Sequence, residues 1–287
     1  MNQKQILILS FTAWCFIHLN CAMYKPETKI TTENFAFLIE QGNKNWANRN
    51  DSSALAFADH FIGLAHKKRP DNFSISVLYS QILFTRGLFF SRSKSNDSLF
   101  YKGLNVAKNA ILNHPDFTTI YNDAPGDSNF KLMSAIAIAP NSVVPGLYWW
   151  AANKAQYIFN KSVIERINNR EILEVLLHRI IAIDPDFYFS GPYRIFGMFY
   201  TRIPGVELEQ SNRYFSQTLS QHPMFLGNKV LMAEYYHQKK GNKEQFYNLL
   251  NEVIESDINL LPEAMPENIF YKDRAKYLID NISTLFE

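Results

Sequence analysis

Three short stretches decide how the chain folds: Asn113-His114-Pro115-Asp116-Phe117, Ile183-Asp184-Pro185-Asp186-Phe187 and Gln221-His222-Pro223-Met224-Phe225. In each, a run of helical spacing ends at His or Asp, a proline stops the helix, and a phenylalanine follows two residues later. The last two prolines are 38 residues apart, the length of one helix-turn-helix repeat. A small or apolar helical segment precedes each stop, at 107–112, 176–183 and 214–219. After the last two stops comes an aromatic-rich one, at 193–200 and 230–236.

Outward from these stops the spacing stays helical. Ala54, Ala58, Phe61, Ile62 and Ala65 recur at three and four, as do Leu104, Ala107, Ala110 and Ile111, and no alternating run interrupts them. A single hairpin of this kind cannot bury its own apolar face, so neighbours stack and leave a groove. The expectation is an all-α fold: degenerate tetratricopeptide-like helical hairpins stacked into a compact superhelical array with a cleft or channel, in one domain over residues 34–287.

Composition agrees. Hydrophobic residues at 47% against 20% charged describe a folded chain. Only 11 glycines argue against a turn-rich β-sandwich, and 15% aromatics imply thick contacts between helices. The net charge of +2 contains no concentrated basic surface of the kind that reads phosphates, so a nucleic-acid partner is excluded. The longest basic run, His66-Lys67-Lys68-Arg69, sits at a helix end before Pro70, where cations complement the dipole.

Residues 1–20 read as an export leader: Lys4, then an apolar stretch over 6–19, too short to span a bilayer comfortably. It ends at Leu19-Asn20-Cys21-Ala22 and resembles a bacterial lipoprotein signal, in which Cys21 is lipidated and becomes the mature N-terminus. The bland alternative is a stray thiol. Residues 21–33 are mostly polar and read as a tether. With Cys21 lipidated, no cysteine is left to pair with it, and stability rests on helix packing.

The segment 132–160 departs from the repeat. Pro140 and Pro145 bracket residues 141–144, and a long helix follows with Tyr148, Ala152, Ala155 and Phe159 on one face, read as core. The adjacent stripe is Trp149, Asn153, Gln156 and Asn160. An indole and three amides suit either a wet cavity wall or an open helix surface with one Trp laid on a neighbour.

Two stretches then point to a family: Gly146-Leu147-Tyr148-Trp149-Trp150-Ala151-Ala152-Asn153 and Phe189-Ser190-Gly191-Pro192-Tyr193-Arg194-Ile195-Phe196-Gly197. With Phe199-Tyr200, Ile203-Pro204-Gly205, Ala233-Glu234-Tyr235-Tyr236 and a closing helix over 268–275, the chain resembles the T component of tetratricopeptide-associated TRAP transport systems over roughly residues 30–287. The resemblance implies a periplasmic lipoprotein that works beside a solute-binding P component, self-associates as a homotrimer, has a channel or cleft through each subunit, and has no enzymatic activity. Lys154 departs from the smaller or less polar residue expected after the Trp motif.

The Gly-Pro-Tyr-Arg segment also has a logic of its own. Gly191 permits a sharp turn, Pro192 suits a first helical turn, and Gly197 allows close approach. Arg194 then stands in an N-terminal turn, against the dipole, so something specific holds it. It is either paired with an internal carboxylate such as Glu174 or Glu234, or free to bind an organic acid. The candidate cleft is therefore Trp149, Trp150, Asn153, Tyr193 and Arg194.

No H-E-x-x-H, C-x-x-C, glycine-rich phosphate loop or G-x-S-x-G is present, so neither metal nor cofactor is expected. Glu174 and His178 lie four apart on one face, but two ligands do not make a zinc site. The functional expectation is an accessory to TRAP-type uptake that docks a solute-binding protein and passes a small organic-acid or hydrophobic ligand through its cleft. The alternative is an envelope scaffold that binds a peptide or protein with no small ligand.

Overall fold

The structure is a computed structural model and describes residues 32–90 and 97–286. The chain divides into two units after Phe37; of the first, only the opening residues of one helix are described, and the fold discussed below is that of the second. The leader, Cys21 and the tether lie outside the described residues.

Among the described residues there is no strand. The helices are α1 (Thr32–Ala47), α2 (Ser52–Lys68), α3 (Phe73–Phe89), α4 (Asp97–Leu112), α5 (Pro115–Asp123), α6 (Ser128–Ala137), α7 (Val144–Phe159), α8 (Val163–Asn168), α9 (Arg170–Ile183), α10 (Phe187–Tyr200), α11 (Leu208–Gln221) and α12 (Gly227–Leu231). The last of these runs through π-helical turns at Met232–His237 into α13 (Gln238–Lys240), and α14 (Lys243–Glu255), α15 (Met265–Asp280) and α16 (Ile282–Leu285) complete the chain. The all-α expectation holds, and the three Pro-x-Phe stretches each separate two helices.

Local chemistry sets the boundaries. Asp51 and Asn72 cap α2 and α3 by accepting the amides of Ala54 at 2.8 Å and Ile75 at 3.0 Å. Ser162 and Glu165 form a reciprocal capping box at α8. Pro115 occupies the first turn of α5, where its missing N–H has no partner to lose.

Helix α7 is central: α4 lies along it, with α3, α9 and α10 beside it. Around it forms a first core containing Leu104, Ile111, Leu147, Leu176 and Phe196. A second core joins the π segment to α11, α14 and α15 through Phe215, Phe225, Val230, Phe246 and Ala275. No single described helix is long and apolar enough to cross a membrane.

Candidate ligand cleft

At the seam of the two cores lies a partly open cavity of about 910 Å³, within the range of sites for small organic ligands. Its walls come from widely separated parts of the sequence, among them Asp97 and Phe100 at the start of α4 and Phe225 just before α12. The end of α3 supplies Phe84 and Phe89, and α7 supplies Tyr148, Ala152, Ala155, Gln156 and Phe159. The start of α10 supplies Tyr188 and Arg194, the π segment Glu234 and Tyr235, and α15 Glu267, Phe270, Tyr271 and Arg274.

Two backbone irregularities shape the walls. Tyr188, Phe189 and Ser190 are all left-handed, with φ of 49°, 59° and 57°. None is glycine, and each such residue costs about 1–2 kcal/mol in that region. The turn persists because its surroundings over-determine it. Arg194 donates from Nη2 to Tyr188 O at 3.1 Å and from Nη1 to Phe189 O at 3.0 Å, while Ser190 Oγ donates to Gln221 Oε1 at 2.6 Å. Gly191 comes next because a Cβ there would stand 2.4 Å from the Tyr148 ring. The second irregularity is the π turn at Met232–His237, which places Glu234 and Tyr235 on the cavity. Such turns occur frequently at functional sites.

Arg194 is 4% exposed and further held by Asn228 Oδ1 at 2.8 Å and Tyr148 Oη at 3.2 Å. Asn228 is itself fixed, donating from Nδ2 to Thr218 O and His222 O. The guanidinium carbon lies 4.5 Å from the Phe225 ring centroid. Every one of these partners is neutral. Neither Glu174 nor Glu234 is the partner: Glu174 accepts from Arg170 at 2.8 Å and from Tyr200 at 2.7 Å, and Glu234 pairs with Arg274. Among the described residues no carboxylate lies within ion-pair distance of Arg194.

The other charges on the cavity are matched. Glu267, 3% exposed, takes both Arg49 contacts at 2.6 and 2.7 Å and the Tyr188 hydroxyl at 3.1 Å. Asp97 pairs with Lys161. One positive charge is left over. Burial pushes the Tyr188 phenol well above its ordinary pKa, helped by the Glu267 charge, and burial raises Tyr148, Tyr235 and Tyr271 as well. The tyrosines of the walls therefore stay neutral, and between the paired charges the surface is aromatic with hydroxyl tips.

Of the five residues expected on one cavity, the structure places only Arg194 there. Trp149 and Trp150 are 2% and 3% exposed and lie within the first core. Asn153 is fully buried and donates to Trp149 O, Ser80 O and Ser80 Oγ, with Gly103 of α4 packed against its amide. Tyr193 is half-buried, 6.1 Å from the Tyr214 ring. Of the stripe read as core, Tyr148, Ala152 and Ala155 are buried in the first core as expected, and together with Phe159, Gln156 and Asn160 they also border the cavity. The sequence reading missed the α15 wall, where Glu267, Phe270, Tyr271 and Arg274 recur at three and four. That mixture of aromatic and paired charge along one helical face was the available signal. His178 packs on Phe196 and, among the described residues, no group of potential metal ligands exists.

A family model, the TRAP transporter T-component, matches residues 91–286. No curated protein matches the chain. The matched span includes both irregular turns, Arg194 and the α15 wall. The chain belongs to the TRAP transporter T-component family and is thus an accessory component of a TRAP transport system of the bacterial envelope, a family of transporter parts rather than of enzymes.

Proposed function

We propose that the protein is a periplasmic lipoprotein, anchored through Cys21, whose tetratricopeptide-like array docks a solute-binding P component and takes a small organic acid into the aromatic cleft. The observation that carries the reading is the buried Arg194 on the cavity wall, with four neutral acceptors and no carboxylate. A cation so placed favours an anion that brings its own apolar body: the carboxylate takes the Nε–H, the one guanidinium hydrogen that the four protein acceptors leave, and the body lies on Phe84, Phe159 and Phe225. An open cleft rather than one filled by its own aromatics also favours a ligand over a pure scaffold. Homotrimer formation belongs to the same reading and is drawn from the resemblance alone.

The test fills the cleft without touching Arg194. Ala152→Leu adds bulk from α7 into the cavity. Mass spectrometry of denatured protein should release a small carboxylate from wild type and at least about tenfold less from the variant, at nearly the same melting temperature. Equal loads in both, or no carboxylate from wild type, overturns the proposal.

A further inference from the structure

A second concavity, of about 420 Å³, lies apart from the aromatic cleft. His66 and Pro70 form one wall. The other is a row along α4 and just past its end: Tyr101, Asn105, Asn109 and Asn113, with Lys102 beside Tyr101. The row recurs every fourth residue, which stacks side chains one above another on a helix. Asparagine is a poor residue for a helix interior, so packing or propensity does not account for the series.

The amides are largely free. Asn109 and Asn113 are exposed and make no side-chain hydrogen bond among the described residues. Asn105 is half-buried and donates one amide hydrogen to Tyr101 O at 2.8 Å, leaving its second hydrogen and its oxygen. Each amide therefore offers a donor beside an acceptor. One edge of an extended polypeptide offers the complementary acceptor and donor every second residue, about 6.6 Å apart. Four residues of α-helix rise about 6.0 Å. Along the helix axis the two repeats drift by only about 1 Å across three rungs, and the row turns by about 40° per rung, which the twist of an extended strand and side-chain rotation take up.

We propose that this groove binds an extended polypeptide segment through its main chain, one asparagine to every two peptide residues, with a carboxylate of the segment at Lys102. Lys102 is exposed at one end of the row. Its ammonium donates to the Tyr79 hydroxyl at 2.5 Å and makes no ion pair among the described residues. It supplies the polarity that the repeating amides lack.

Randomised heptapeptides with free C-termini are selected on the full chain, and enriched peptides are measured by fluorescence anisotropy. Each single change, Asn105→Ala, Asn109→Ala or Asn113→Ala, should weaken binding about three- to tenfold, and the triple variant should lose it. Alanine raises helix propensity at 105 and 109, so the variants should keep their circular dichroism; the singles decide the matter if the triple does not. N-methylation of alternate peptide amides should abolish binding, whereas alanine replacement of the peptide's apolar side chains should spare most of it. Amidating the peptide's C-terminus and Lys102→Met should each cost about tenfold, without a further loss when combined. Peptides that enrich equally on the triple variant, or that tolerate N-methylation, overturn the main-chain reading. Indifference to every loss of carboxylate overturns the polarity assigned to Lys102.

Discussion

Two neighbouring stripes of α7 meet opposite conditions. Along one, Trp149 packs against Phe84 and Tyr188, and Asn153 is sealed at a crossing of three helices. The facing residues there are small: Ser80 donates to Gly103 O at 2.8 Å, and a Cβ on Gly103 would fall 2.3 Å from the Asn153 amide oxygen. Backbones close up, and a polar side chain is used as mortar. Along the other stripe, Tyr148, Ala152, Gln156 and Phe159 face α10 and the π segment, where two departures from regular helix intervene. Space survives there because the opposing backbone is bent away and held. The side chains of α7 alone do not settle which stripe is dry; the backbone opposite does.

The sharpest way to break this contrast is to release the bend. Arg194 supplies four hydrogen bonds, two of them to carbonyls of the left-handed turn. Arg194→Ala should destabilise the protein by about 3–5 kcal/mol, because buried acceptors lose their donors and the strained turn loses its clamp. Arg194→Lys keeps the charge but cannot span the four acceptors, and should recover less than half. Urea unfolding of the three proteins checks this. A loss below about 1 kcal/mol for Arg194→Ala would mean that the turn is held elsewhere.

The same contrast explains what the sequence could tell. The helices were legible because their signals are local: proline stops, caps and apolar spacing lie within a few residues of what they determine. The cavity was not, because helical periodicity assigns residues to faces without saying what stands opposite. Tyr148 and Ala152 have the composition of a core stripe, and Trp149 and Asn153 that of a wall. Nothing in residues 146–153 reveals Gly103 or the turn at 188–190. Arg194 was legible because an arginine in a first helical turn needs a local reason, and the structure supplies one in the carbonyls five and six residues before it. Three consecutive left-handed residues without a glycine leave no sequence signal, and neither does the π turn.

On the dry stripe, Asn153→Ala should cost about 2–3 kcal/mol, since Ser80 loses a donor and the site is left with a void. The cleft should be indifferent: solute recovered from the variant should match wild type once folded protein is compared. Asn153→Ala with intact stability but lost solute would move the amide back to the cavity.

The smallest effect concerns Lys154, one residue along from the dry stripe. Its ammonium donates to Asn169 Oδ1 at 2.6 Å and makes no ion pair among the described residues. Burial, with Lys108 adding repulsion, pushes its pKa down from 10.5 to about 8. The charged form is thus disfavoured in the folded state, so the native protein binds fewer protons than the unfolded chain between about pH 8 and 10.5. Stability from this group must rise with pH across that window and be least below it. Lys154→Met removes the penalty and should stabilise the protein by about 1–3 kcal/mol at pH 7. That advantage should shrink steadily toward pH 10, where wild-type Lys154 is neutral in the folded state. Melting curves of the pair at pH 7, 8.5 and 10 decide it: a gap that stays constant means methionine helps through packing alone, and the buried charge costs the fold nothing.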